Sequence, residues 1–158
     1  MNVGCYIPVN RYRLARYAVD SGASHLFFVD SDMTFPPNTL IRLLMTEKDI
    51  VGTSYFMRRQ SERMTTVRVL NAAGELEILF EPPKELTKVA AVGTGCMLIS
   101  TAALKNIPQP WFNLTFEPSG ELNQGEDIWF CEQARKAGYD IWCEPSLNVG
   151  HVGDYVYQ

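Results

Sequence analysis

The chain predicts an α/β domain built on a mixed sheet with helices on its faces. Three observations carry this prediction. In the first third, apolar runs of strand length alternate with helical spacing. Later segments are short and separated by turn residues, as antiparallel strands are. Within that first third, His25-Leu26-Phe27-Phe28-Val29 reads as a buried parallel strand, apolar on both faces, that runs directly into Asp30-Ser31-Asp32.

Each element has its own warrant. Residues 3–9 are short and apolar and contain Pro8, which suits an edge strand or an extended lead-in. Leu14, Ala15, Ala18 and Val19 lie at helical spacing in a helix over 11–21, which Gly22 stops. Pro36-Pro37 opens a second helix over 38–45, with Leu40, Leu43 and Leu44 facing inward. A strand follows over 49–55. Residues 64–70 and 75–80 flank Asn71-Ala72-Ala73-Gly74 and predict a solvent-facing hairpin, ended by Pro82-Pro83. Two apolar segments, 87–92 and 96–100, surround Gly93-Thr94-Gly95. A short helix is predicted over 101–106 and a loop over 111–123, where Pro118, Ser119 and Gly120 favour turns. The clearest helix is 126–137, with Gly138 as its stop. A last short strand, 140–143, precedes Pro145 and a tail containing Gly150-His151.

Composition narrows the function classes. The 158 residues predict one domain over 1–158, and the 46% hydrophobic and 20% charged shares are ordinary for a globular protein. A net charge of −4 argues against a nucleic-acid surface, which needs a basic patch. No apolar run is long enough to span a bilayer, and no N-terminal stretch has the layout of a signal peptide. Cys5, Cys96, Cys131 and Cys143 form no CxxC pair, so reduced thiols and a cytoplasmic location are expected.

The chemistry-bearing residues each admit a second reading. Asp30 and Asp32 are too costly to bury unpaired, and in open α/β sheets strand ends face the ligand, so a divalent cation such as Mg²⁺ or Mn²⁺ fits them; a plain turn is the alternative. Glu126 and Asp127 either complement the dipole at a helix start or place a general base in a pocket. His151 is either a packing histidine or a metal ligand returning to the acidic triplet, whereas His25 is assigned no chemistry. Gly93-Thr94-Gly95-Cys96 either lets backbone approach a ligand or makes a tight turn. It is no P-loop, and Cys96 has no histidine partner in sequence that would make it a nucleophile. Arg58-Arg59 either meets phosphate or is solvated. Trp111, Phe112, Trp129 and Trp142 are core or pocket wall, with stacking on a sugar face as the alternative.

Taken in order, the apolar strand, Asp-Ser-Asp, Gly-Thr-Gly-Cys, Gly-Glu-Asp at a helix start and the late histidine resemble the family 2 type of nucleotide-sugar glycosyltransferases of the GT-A fold. The resemblance runs from Ile7 to His151. It implies a GT-A, Rossmann-like mixed central sheet with flanking helices. Asp30 and Asp32 match the DxD motif that binds Mn²⁺ or Mg²⁺ on the donor diphosphate, and His151 matches the histidine that completes the metal site. Ser31 sits within that donor site. Glu126 and Asp127 match the acidic pair that holds the acceptor and supplies the base. Gly93, Thr94, Gly95 and Cys96 match the segment beside the sugar pocket, where Trp129 is a further candidate. Ile7-Pro8-Val9-Asn10-Arg11 is similar to small stand-alone members with an Arg-Asn pair there; Arg11 matches the arginine and is expected on the donor side, as a charge-assisted hydrogen-bond donor to phosphate, and Tyr12 replaces the asparagine. Only 29 residues precede Asp30, so the N-terminal nucleotide-binding unit is expected to be reduced or missing, and a partner chain could complete the sheet at an exposed edge.

The function implied is metal-dependent transfer of a sugar from a UDP- or GDP-sugar to a glycan or other hydroxyl acceptor, with inversion favoured over retention. A homo-oligomer is allowed. The alternatives are a nucleotidyltransferase, or a truncated non-catalytic domain that binds nucleotide or glycan.

Overall fold

The structure, a computed structural model, describes residues 6–57 and 64–153 and the backbone of 156–157. In chain order it contains α1 (Ile7–Asp20), β1 (His25–Val29), β2 (Met33–Thr34), α2 (Thr39–Leu44), β3 (Ile50–Thr53), β4 (Arg68–Leu70), β5 (Leu76–Ile78) and β6 (Thr87–Val89). These are followed by β7 (Cys96–Ser100), α3 (Thr101–Asn106), β8 (Thr115–Phe116), β9 (Leu122–Gln124), α4 (Glu126–Lys136), β10 (Ile141–Glu144), β11 (Gly150–Val152) and β12 (Val156–Tyr157).

A mixed sheet of order β1-β7-β3-β10-β6 forms the centre. Its one parallel pair is β3 with β10; β1–β7, β3–β7 and β6–β10 are antiparallel. All five residues of β7 are buried, because this strand has neighbours on both edges and cover on both faces. The pleat sorts its side chains. Met97 and Ile99 join Phe28, Ile50 and Ile141 beneath α1, α3 and α4, whereas Cys96 and Leu98 join Val51 and Leu43 of α2 on the opposite face. Truncating fully buried Leu43 to alanine would cost about 2–5 kcal/mol through lost burial and the cavity left behind.

Several expectations hold. Gly22 and Gly138 follow α1 and α4 with φ of 74° and 88°, left-handed conformations that glycine adopts without a Cβ clash. The 71–74 turn joins β4 to β5 in register, and α3 matches its predicted span. The oxygen of Ser100 caps α3 by accepting from the N–H of Ala103 at 3.1 Å.

Other expectations are corrected. β1 is an antiparallel edge strand and only half-buried, not a parallel strand buried on both faces; its apolar run could not reveal the direction of its partner. Residues 7–9 begin α1 rather than an extended segment. Pro8 sits in the first helical turn, where a missing N–H costs nothing. Leu40 and Leu44 are 40% and 42% exposed, because six-residue α2 turns only a narrow stripe, centred on Leu43, toward the sheet. The segment read as a loop holds the β8–β9 hairpin, closed by Gly120 at φ 87°. Arg58, Arg59 and Cys5 lie outside the described residues. No helix among the described residues is long and apolar enough to cross a membrane.

Candidate functional site

Backbone pairing places the acidic triplet. The N–H of Asp30 donates to the carbonyl of Gly95 at 3.0 Å, which sets the triplet beside the 93–95 turn. Strand β2 then pairs with β11, opposing Met33 and His151, and the N–H of Val152 donates to the carbonyl of Asp32 at 2.7 Å. This ladder brings the late histidine back to the triplet. His151 Nε2 stands 3.5 Å from Asp32 Oδ2.

Arg11 ties the two acidic motifs together. From α1 its Nη2 donates to Asp30 Oδ1 and Oδ2 at 2.9 and 3.0 Å, and its Nε donates to Glu126 Oε1 at 3.2 Å, across 115 residues of sequence. Its guanidinium also lies 5.3 Å from the centre of the Phe28 ring. The Arg11 side chain is 9% exposed, against 18% for Glu126 and 40% for Asp30. A cation this deep persists because both carboxylates answer it; alone it would carry a desolvation cost of several kcal/mol, on the order typical of buried ions. The sequence had assigned Arg11 to a phosphate. In the structure its fork is turned toward protein carboxylates.

Asp127 follows Glu126 in the first turn of α4. Its Oδ1 accepts from the N–H of Ile128 at 2.8 Å and lies 3.0 Å from where a Cβ on Gly125 would stand. Burial, then the charge of Glu126, raises the Asp127 carboxyl above its ordinary value of 3.8. It faces a cavity of about 740 Å³ that Thr66, Arg68, Gln124 and Glu132 also line. Asp127 is thus a partly desolvated acid at the wall of an open pocket, whose lining includes none of Arg11, Asp30, Asp32, Glu126 and His151.

Tyr55 is a site residue that sequence reasoning passed over. Its hydroxyl accepts from the N–H of Gly95 at 3.0 Å, and its ring meets His151 edge-on with centroids 5.7 Å apart. A Cβ on Gly93 or Gly95 would lie 2.3 or 2.5 Å from that hydroxyl. The two glycines are therefore required by Tyr55, a reason the sequence did not contain. The available signal was position: Tyr55 lies just beyond the end of β3, where the sheet presents residues to the site. Burial raises the phenol, so it stays protonated.

The remaining candidates are placed as follows. Ser31, the middle residue of the triplet, is exposed. Thr94 and Cys96 are 2% and 0% exposed, which withdraws both side chains from any surface; burial also pushes the Cys96 thiol up to about 11. Trp129 is half-buried, its indole N–H donating to the carbonyl of Pro110 at 3.0 Å. Tyr12 donates to Gln109 at 2.6 Å and packs on Trp111. Asp32 and His151 face each other closely enough to share one ion, since 3.5 Å is within reach of two bonds of about 2.1 Å each. Asp30 is engaged by Arg11 instead. Among the described residues, no group of three His, Cys, Asp or Glu side chains stands together as a metal site.

No protein-family model matches the chain, and no curated protein matches it. In fold it is similar to A197 from STIV, known from a crystal structure, with a TM-score of 0.64 and 18% identity over 98% of this chain and 71% of that one. At that identity the likeness speaks for the fold alone.

Proposed function

We propose that this chain is a GT-A-like glycosyltransferase that moves a sugar from a nucleoside diphosphate sugar to an acceptor hydroxyl. The observation that carries the reading is the Arg11 bridge, which joins Asp30 of the Asp-Ser-Asp motif to Glu126 of the Gly-Glu-Asp motif, whose Asp127 lines an open cavity. Two acidic motifs far apart in sequence are thereby tied together, which supports a donor end beside an acceptor end.

Asp127 is the general base. The acceptor oxygen attacks the anomeric carbon, its proton passes to the Asp127 carboxylate, and the bond from that carbon to the diphosphate oxygen breaks with its electron pair on the leaving nucleoside diphosphate. A carboxyl raised by burial is a stronger base than an exposed one, and a positioned base contributes about 10²–10⁴-fold. In-line attack inverts the anomeric carbon. Glu126, held by Arg11, fixes the start of α4 and thus the aim of Asp127. Asp32 and His151 would hold Mn²⁺ or Mg²⁺, and such an ion, when bound, neutralises charge on the diphosphate. Tyr55 keeps the His151 ring and the 93–95 turn in place.

One observation favours a second reading, a non-catalytic domain that binds nucleotide or glycan: Arg11 already occupies both oxygens of Asp30. Turnover separates the two. Incubating the protein with UDP- and GDP-sugars, with Mn²⁺ or Mg²⁺ and a mixture of sugar acceptors, should release nucleoside diphosphate and form a product of inverted configuration by NMR. Asp127→Asn should lower kcat by about 10²–10⁴-fold with donor binding kept. Nucleotide binding without release of diphosphate under any of these conditions would establish the second reading and end the first.

A further inference from the structure

Beyond Asp127 the cavity continues along α4. Its wall at Leu76 and Glu132 is shared with a second cavity of about 410 Å³, and Leu70 and Arg135 are common to that one and a third of about 340 Å³. Ile128, Glu132 and Arg135 lie at helical spacing on the face of α4 turned to these cavities, and the β4–β5 hairpin forms the opposite wall. The result is one groove with Asp127 near one end and Arg135 near the other. Eight residues of helix separate them, about 12 Å at 1.5 Å per residue.

The charges along this groove do not balance. Lys136 pairs with Glu132 at 2.6 Å, and Lys88 pairs with Asp140 at 2.5 Å. Glu132 is further held by the amide of Gln124 at 2.9 Å. Arg68, on the same wall, donates to the carbonyls of Thr65 and Val67, and Arg135 is a further cation of the groove. Among the described residues Arg135 makes no ion pair, and its Nε is buried without a hydrogen-bond partner. That N–H, on a half-buried side chain at the junction of two cavities, has lost water without gaining an acceptor. A planar oxyanion is the group its fork fits.

We infer that Arg135 forms an anion subsite of this groove, so that the acceptor carries a carboxylate or phosphate about two sugar units from the hydroxyl that Asp127 activates. The subsite rests on the glycosyl-transfer reading for its role, but not for its existence. Reach supports the spacing, since a chain of sugars laid along α4 would span the distance from Asp127 to Arg135. Walls of Leu70, Leu76 and Ile128 with amide and carboxyl groups between them also suit sugar rings, which present apolar faces and polar edges.

The test begins with binding, on the full chain. In ¹⁵N spectra of the arginine side chains, the Nε–H signal of Arg135 is identified by its loss in Arg135→Lys. Titration with glucuronate should shift that signal saturably if a carboxylate is the ligand, titration with inorganic phosphate if a phosphate is, and glucose should leave it unmoved. In turnover, Arg135→Gln should raise KM for the matching acidic oligosaccharide by about 10–100-fold, the worth of a charge-assisted contact, with kcat and the KM of a neutral acceptor unchanged. Arg135→Lys, which keeps the charge but not the fork, should fall between. An Arg135 signal that ignores both anions, or moves equally with glucose, overturns the inference while leaving glycosyl transfer intact. A responding signal in a protein that turns over no nucleotide sugar upholds the anion subsite and removes the transfer reading.

Discussion

Replacing Arg11 with methionine isolates the contact on which the site is built. Methionine keeps much of the stem but removes the guanidinium that lies over Phe28 and with it three hydrogen bonds, two to Asp30 and one to Glu126. The two carboxylates contribute unequally. Glu126 is 18% exposed and loses its charge partner in a poorly solvated place, whereas Asp30, at 40%, recovers much of its hydration. Breaking a buried ion pair by removing one partner costs about 3–5 kcal/mol, and screening at Asp30 brings this case to about 3 kcal/mol. Urea denaturation at pH 7 measures it. The same variant with Glu126→Gln supplies the control, because a neutral amide no longer needs the arginine. The double variant should be more stable than the sum of the single losses by about 1–2 kcal/mol, the coupling expected for residues in one network. A loss under about 1 kcal/mol for Arg11→Met, or strict additivity in the cycle, would refute the claim that Arg11 is held by these carboxylates.

Asp127→Asn should raise the melting temperature at pH 7 while it lowers turnover. Burial and Glu126 hold the native carboxyl above its ordinary 3.8, so the native state binds more protons than the unfolded chain in that window, and stability falls as pH rises through it. The advantage of the amide should therefore vanish as pH drops below about 4, and an advantage that persists there counts against a raised carboxyl. Gly95→Ala should cost about 1–3 kcal/mol by overpacking, because its Cβ would meet the Tyr55 hydroxyl at 2.5 Å and Asp30 Oδ2 at 3.3 Å; wild-type stability in urea would contradict that contact. Tyr55→Phe should cost about 1 kcal/mol by stranding the N–H of Gly95, read in the same assay. Asp32→Ala should abolish the Mn²⁺-dependent part of nucleoside diphosphate binding in calorimetry without unfolding the protein, and unchanged affinity would remove Asp32 from the ion.

Much of the fold was legible because its signals are local. Helix α4 announces itself by acids in its first turn, Arg135 and Lys136 in its last, and Gly138 after it. The β4–β5 hairpin follows from Asn71 and Gly74, where the Asn71 side chain accepts from the N–H groups of Ala73 and Glu75. Failures came where a partner far along the chain decides. The β8–β9 hairpin was missed because each strand is only two or three residues long and largely exposed, leaving no alternation to read. An apolar helix position such as Leu44 turned out exposed because length and packing, not periodicity, set how much of α2 meets the sheet.

For the site, sequence alone picked out the residues proposed to carry the chemistry: carboxylates ending an apolar strand, a second acidic pair opening a helix, one late histidine. Their types and local settings suffice for that, since the cost of burying a charge is a property of the residue and its neighbours in sequence. Tertiary structure alone decided who answers whom. Arg11 meets one aspartate and one glutamate side chain rather than a phosphate, Tyr55 makes Gly93 and Gly95 obligatory, and the Nε of Arg135 is left without an acceptor beside a groove. Those outcomes depend on distances between side chains on strands and helices that chain topology brings together, and electrostatic and steric terms act through space, where sequence separation has no meaning.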